Sequence, residues 1–172
     1  MAPDVASPRT LQRSGKGFGL VRLLAAATLF LTTALAPLAQ DSAGAIVRVS
    51  TSSSGAPGNS SSFGPSISAD GRYVAFVSSA DNLVVGDTNG VSDVFRKDLA
   101  TGSVIRVSTS PNGEQGNQRS EAPSISADGR YVAFESNASN LVVGDTNGSL
   151  DVFRKDLLSG QIVRASTSAA GV

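Results

Sequence analysis

The chain has 172 residues, which is enough for one ordinary domain with an extra segment. Its 14 basic and 14 acidic residues balance, so there is no basic excess to attract nucleic acid by counterion release. Cys and His are both absent, which excludes Cys/His zinc sites, thiol catalysis, disulfide bonds and a Ser-His-Asp triad.

The N-terminus, residues 1–39, predicts a signal peptide. Four basic residues precede an uncharged run rich in Ala and Leu (23–35), and small residues follow it. That order is the secretory pattern, with cleavage expected after Ala39. Because the apolar run is shorter than the roughly 20 residues of a membrane span, we expect a secreted or periplasmic protein without stable membrane insertion after cleavage. An uncleaved anchor is the alternative.

The remainder of the chain is dominated by a gapless repeat. Ser66–Phe76 returns unchanged as Ser124–Phe134, and 40 of 58 aligned positions are identical between 48–105 and 106–163. A repeat of this length indicates an architecture built from like supersecondary units. We predict an orphan fourth strand and connector over 40–64, a first blade repeat over 65–122 and a second over 123–172.

Each unit contains four short strand patterns. In the first unit they lie around 66–68 and at 73–78, 93–98 and 104–109. Two-residue hairpin turns are predicted at Asp70-Gly71 and at its copy Asp128-Gly129, because both turn positions tolerate positive φ. Pro123 is expected to begin the first strand of the second unit, where its missing N–H costs least.

The second strand of the unit is apolar on both faces, so both faces must be covered. A four-stranded antiparallel sheet between like sheets is a β-propeller blade. We therefore predict an all-β fold of two blades plus an orphan N-terminal strand (46–51), a partial propeller. A β-sandwich of two duplicated halves is the alternative.

Propellers close with 4–8 blades, so two blades do not make a ring. Three explanations stay open: a fragment of a longer repeat array or a degenerate gene, a ring formed by several chains, and a self-sufficient two-blade domain. Two unpaired sheet faces also predict self-association.

The motif S-x-S-A-D-G-R-Y-V-A-F, followed by D-V-F-x-x-D-L, resembles the blade repeat of TolB-type, WD-like β-propellers. The resemblance covers 46–168, and the loop 80–92 is longer than in a compact blade of that family. It implies the fold and leaves the function open, since such blades occur in periplasmic transport factors and in peptidase gating domains.

One loop carries the side chains of a calcium site. Oxygen ligands at positions 1, 3 and 7 of a Gly-containing loop are suited to a hard cation, and calcium is therefore the candidate cofactor. The predicted metal residues are Asp87, Asn89 and Asp93, with their copies Asp145, Asn147 and Asp151. Alternatively, these side chains form turns onto the local backbone and cap the third strand.

These patterns favour a non-catalytic, secreted binding or scaffolding module that presents its rim loops to an unknown protein or glycan. The sequence shows no acidic residue paired with a base in the way that acid–base catalysis requires, so we do not expect an enzyme. One alternative is a calcium-stabilised structural or adhesive array, and another is an accessory propeller severed from a hydrolase.

Overall fold

The computed structural model describes residues 46–168, so the predicted signal peptide lies outside the described part. These residues form eight strands and no helix. The strands are β1 (Ser62–Ile67), β2 (Tyr73–Ser78), β3 (Asp93–Asp98), β4 (Val104–Arg106), β5 (Ser120–Ile125), β6 (Tyr131–Ser136), β7 (Asp151–Asp156) and β8 (Ile162–Arg164). Accordingly, no helix long and apolar enough to cross a membrane is found between residues 46 and 168.

The strands form two sheets with the same topology. The first sheet has the order β1-β2-β3-β4 and the second has the order β5-β6-β7-β8. Every neighbouring pair is antiparallel, and the registers repeat from one sheet to the other. This confirms the predicted fold class of two four-stranded antiparallel sheets.

The packing of the two sheets distinguishes propeller blades from a duplicated sandwich. Val77 of the first sheet lies in one buried cluster with Phe134 of the second. Phe76, the repeat equivalent of Phe134, belongs to a different cluster on the other side of the first sheet. Unlike faces therefore meet, so the sheets stack head to tail as neighbouring propeller blades do.

The first strand of each sheet begins earlier than predicted. Pairing already starts at Ser62 and at Ser120, so the predicted boundaries at 65 and 123 fall inside β1 and β5. The register shifts between Glu121 and Ser124, which places Pro123 inside an irregular stretch instead of at the start of the strand. A residue without an N–H is tolerated there because a bulge interrupts the ladder.

The hairpin between β1 and β2 is also wider than predicted. Of Asp70 and Gly71, only the glycine has positive φ, at 73°. The Gly71 N–H donates to the Ser68 carbonyl at 3.0 Å, and the Tyr73 N–H donates to Ser68 Oγ at 2.9 Å. A five-residue loop closed by the Ser68 side chain thus replaces the two-residue turn.

The fourth strands are shorter than the predicted 104–109. Beyond Arg106 the regular ladder stops, although the Val107 N–H donates to the Val94 carbonyl at 2.7 Å. The Val94 N–H donates to Ser108 Oγ at 3.2 Å instead of to a backbone carbonyl. This irregular end of β4 places Arg106 and Ser108 beside the loop that precedes β3.

Candidate functional site

The loop predicted to bind calcium folds around an arginine. Asp87 Oδ1 lies 2.9 Å from Arg106 Nη2, and Asp93 Oδ2 lies 3.7 Å from Arg106 Nε. The Arg106 side chain is only 7% exposed, and its Nη1 donates to Gln115 Oε1 of the connector. We call this arrangement of one guanidinium between two carboxylates the arginine clamp.

Asp93 is fully buried, and both of its carboxylate oxygens accept hydrogen bonds. Ser108 Oγ donates to Oδ1 at 2.5 Å, and Asn89 Nδ2 donates to Oδ2 at 2.8 Å. Asn89 Oδ1 accepts from the Val91 N–H at 3.3 Å, which is the local side-chain turn expected as the alternative to metal binding.

The second repeat builds the same clamp. Arg164 Nη1 lies 2.9 Å from Asp145 Oδ1 and 3.5 Å from Asp151 Oδ2. Asn147 Nδ2 donates to Asp151 Oδ2 at 2.9 Å, and Ser166 Oγ donates to Oδ1 at 2.5 Å. The structure therefore brings all six predicted residues together in two matching groups.

The electrostatics of the two clamps differ with their burial. Desolvation raises the pKa of Asp93. The hydrogen bonds from Ser108 and Asn89 and the positive charge of Arg106 act in the opposite direction and lower it by less. Desolvation also raises the pKa of Asp87, again against Arg106. In the second clamp the hydrogen bond from Ser166 lowers the pKa of Asp151.

The guanidinium lies where the sequence predicted a cation. Asn89 presents its amide NH₂ to Asp93, so its oxygen does not join the two carboxylates. Within residues 46–168, no group of three or more His, Cys, Asp or Glu side chains is placed to hold a metal ion. Calcium binding stays a prediction, and it requires the arginine to move.

Sequence reasoning missed Arg106 and Arg164 as members of these sites. A signal was available, because the fourth strand of each unit carries Arg followed two residues later by Ser, 13 residues after the buried Asp. The same Arg-x-Ser pattern occurs a third time at Arg48.

A groove of about 760 Å³ opens beside β4, between the first sheet and the connector to the second. Its lining includes apolar Val84, Val85 and Ile105 together with polar Arg106, Gln115 and Asn140. Val85 is fully exposed to solvent. The groove adjoins the arginine clamp through Arg106 and Gln115.

The fold and these sites define an all-β protein with two propeller-type blades, each closed by an internal arginine clamp. No protein-family profile and no curated protein matches the sequence.

Two similar solved structures are those of TolB proteins. One, assigned to TolB of Agrobacterium tumefaciens, has a TM-score of 0.43 and 20% identity over 63% of this chain and 31% of that one. TolB from Acinetobacter baumannii has a TM-score of 0.40 and 22% identity over 62% of this chain and 21% of that one. The chain thus spans less than a third of the length of either protein.

Proposed function

We propose that this chain is a non-catalytic, extracytoplasmic module of the TolB-like propeller type that binds a protein or glycan partner at its rim. The groove beside β4 carries the proposal. Its apolar side chains lie beside amide and guanidinium groups, a combination typical of sites that bind a partner and fix its orientation. The predicted signal peptide supports an extracytoplasmic location.

The engagement of the acidic side chains supports a non-catalytic role. Asp87 and Asp93 are held by Arg106, and Asp70 accepts hydrogen bonds from Ser68 Oγ at 2.5 Å and from the Arg72 N–H at 3.0 Å. An acid or base for catalysis needs a free lone pair or proton directed at a substrate. These carboxylates instead fix loops and turns.

The test is a binding screen of the purified chain against a glycan array and a panel of extracytoplasmic proteins. We expect a ligand whose binding is lost in Val85→Asp, because this variant puts a charge among the apolar side chains that line the groove. Val143→Asp is the matched control, since Val143 is the equally exposed repeat equivalent and does not line the groove. A ligand that binds both variants as well as it binds the unmodified chain would contradict the assignment of the groove.

The hydrolase alternative is tested on the same preparation. We expect no turnover of an ester, peptide or glycoside panel. Turnover that a point mutation in this chain abolishes would overturn the non-catalytic proposal. Mass determination of the exported protein gives the cleavage site, which we expect after Ala39.

A further inference from the structure

The fourth-strand sequence occurs three times, and only two copies are used in a sheet. The copies are IVRVST at 46–51, VIRVST at 104–109 and IVRAST at 162–167. The second and third provide β4 and β8. Between residues 46 and 168, the first copy joins neither sheet and forms only an isolated bridge from Thr51 to Pro57. Ile46 is fully exposed and Val47 is 58% exposed.

The first copy is already held against the first sheet as the second copy is held against the second sheet. Lys97 Nζ donates to the Thr51 carbonyl at 3.0 Å, and its repeat equivalent Lys155 donates to the Thr109 carbonyl at 2.8 Å. The bridge from Thr51 to Pro57 recurs between Thr109 and Gln115. Residues 46–48 therefore project where the fourth strand of a preceding sheet would lie.

The contact between the two sheets buries one face of each sheet. The repeat equivalents of these two faces lie at the opposite ends of the two-sheet stack, where they are exposed. Ser120 is fully buried against the first sheet, whereas its equivalent Ser62 is exposed. Val94 is fully buried between the sheets, whereas its equivalent Val152 is 40% exposed. Each end of the two-sheet stack thus presents one half of the inter-sheet contact.

We propose that residues 46–51 of one molecule replace β8 in a second molecule and so join copies of this chain head to tail. The first sheet of the incoming copy then covers the exposed face of the second sheet, as the second sheet covers the first within one chain. Unlike surfaces meet in this contact, so it is heterologous and builds a ring or an open array. The inference is independent of the partner-binding groove.

The exchange preserves nearly every contact of β8. Arg48 takes the place of Arg164 between Asp145 and Asp151, and Ser50 takes the place of Ser166. The backbone of Ile46–Arg48 pairs with β7 in the register that β8 now uses. The exchange therefore retains the clamp and ladder contacts of β8 but gives up its short connection to β7, and the apolar burial gained by covering the two exposed faces offsets that loss.

One sequence difference favours the incoming strand. Val49, Val107 and Ala165 are equivalent positions of the repeat. Val107 is fully buried between the sheets, and Val49 would bring the same apolar side chain to the position that exposed Ala165 now occupies.

Another sequence difference opposes the contact between copies. Glu135 replaces Val77, which is fully buried between the sheets, and so brings a charge into the interface between copies.

Sedimentation velocity of the purified chain over a range of concentrations, after long incubation, tests the proposal. We expect reversible association that Arg48→Asp weakens at least about a hundredfold, because a third carboxylate then faces the two clamp carboxylates. Glu135→Val should strengthen the association. Glu114→Arg, a charge reversal at another exposed residue, is the control and should leave it unchanged. The proposal would be overturned if the chain did not associate, or if Arg48→Asp left the strength of association unchanged.

Cross-linking through introduced cysteines locates the contact between copies. Because the sequence contains no cysteine, only the introduced thiols can react. Val163 pairs with Arg154 across β8 and β7, so Val47 of an incoming copy should lie beside Arg154. A mixture of Val47→Cys and Arg154→Cys chains, treated with a short bifunctional thiol reagent, should give a heterodimer. A mixture of Ser54→Cys and Arg154→Cys chains should not give this heterodimer. Equal yields from the two mixtures would show that the copies associate in another way.

Discussion

At the scale of single residues, the carboxylates of each clamp are paired with a largely buried arginine. Each clamp places a guanidinium between two carboxylates and adds hydroxyl and amide donors, which offset much of the cost of removing the charges from water. The Nε atoms of Arg106 and Arg164 are buried and have no hydrogen-bond partner. The clamps are therefore sensitive to the loss of a member.

Arg106→Met should destabilise the fold by about 3–5 kcal/mol, because it leaves Asp87 and Asp93 buried without their cation. The free energy of unfolding in denaturant measures this. Arg48→Met, at the equivalent but exposed position, is the matched control, and we expect a change within about 0.5 kcal/mol at a concentration where the chain is monomeric. Equal effects of the two variants would contradict the structural role of the clamp.

Calcium binding by the clamp loops is tested by the melting midpoint of the chain in millimolar calcium and in chelator, with magnesium as a control. Calcium that binds only the folded state would raise the midpoint. Because the guanidinium must first leave the carboxylates, we expect a small rise confined to millimolar calcium, and an unmoved midpoint would contradict the calcium prediction. A rise that Asp151→Asn abolishes would establish the calcium site and with it the calcium-stabilised array.

Asp98 predicts a defined loss of stability in acid. Arg72 donates to both of its carboxylate oxygens, at 3.1 and 2.8 Å, and lowers the pKa of Asp98 to about 2. Since the pKa is lower in the folded state than the ordinary value of about 3.9, this contribution is present above pH ~4 and is lost as the pH falls towards 2. Asp98→Asn should flatten the decline in unfolding free energy over that window. Glu114→Gln, which removes a negative charge at an exposed site away from Arg72, is the control for net charge.

At the scale of strands and turns, the two hairpins differ in whether their glycine packs against the neighbouring sheet. Tyr73 of β2 packs against Gly129 in the hairpin of the second sheet, with the guanidinium of Arg96 4.5 Å from the centre of its ring. Arg96 also donates to the Gly129 carbonyl at 3.0 Å. The equivalent Gly71 lies in open space.

Gly129→Ala should therefore cost more stability than Gly71→Ala. Both glycines have φ of +73°, so each substitution carries the cost of a left-handed backbone, about 1–2 kcal/mol. At Gly129 the added Cβ would also clash with the ring of Tyr73, and overpacking of this kind adds about 1–3 kcal/mol. Thermal unfolding of the two variants gives the difference, and Tyr73→Ala should reduce it. Identical losses would contradict the close packing of Gly129 against Tyr73.

At the scale of the whole molecule, stability depends on the contact between the sheets. Phe134 belongs to a buried cluster with residues of both sheets, whereas Phe76 belongs to a smaller cluster with the first sheet and its flanking segments. In repeat architectures the interface between neighbours supplies much of the cooperativity.

Phe134→Ala should destabilise by about 3–5 kcal/mol and lower the protection of amide hydrogens in both sheets together. Phe76→Ala, with an equally buried ring, is the matched control and should affect the first sheet more than the second. Hydrogen exchange resolved by residue compares the two variants. Exchange changes confined to the second sheet in Phe134→Ala would indicate that the sheets fold independently.

The repeat by itself determined the architecture. Its 58-residue period and the apolar residues on both faces of Tyr73–Ser78 predict two stacked four-stranded sheets, and the described residues form them. Local sequence is sufficient here because strand periodicity decides which side chains must be covered. The grouping of Asp87, Asn89 and Asp93 was likewise predicted from their spacing in one loop.

The tertiary structure decided what those residues contact. Arg106 is 13 residues from Asp93 in the sequence, and only the pairing of β3 with β4 brings its guanidinium between the carboxylates. In the same way, the matched contacts of Lys97 and Lys155 show that Thr51 is held against the first sheet as Thr109 is held against the second. Spacing along the chain specifies which side chains are near one another in a loop, but long-range strand pairing determines which charge reaches them.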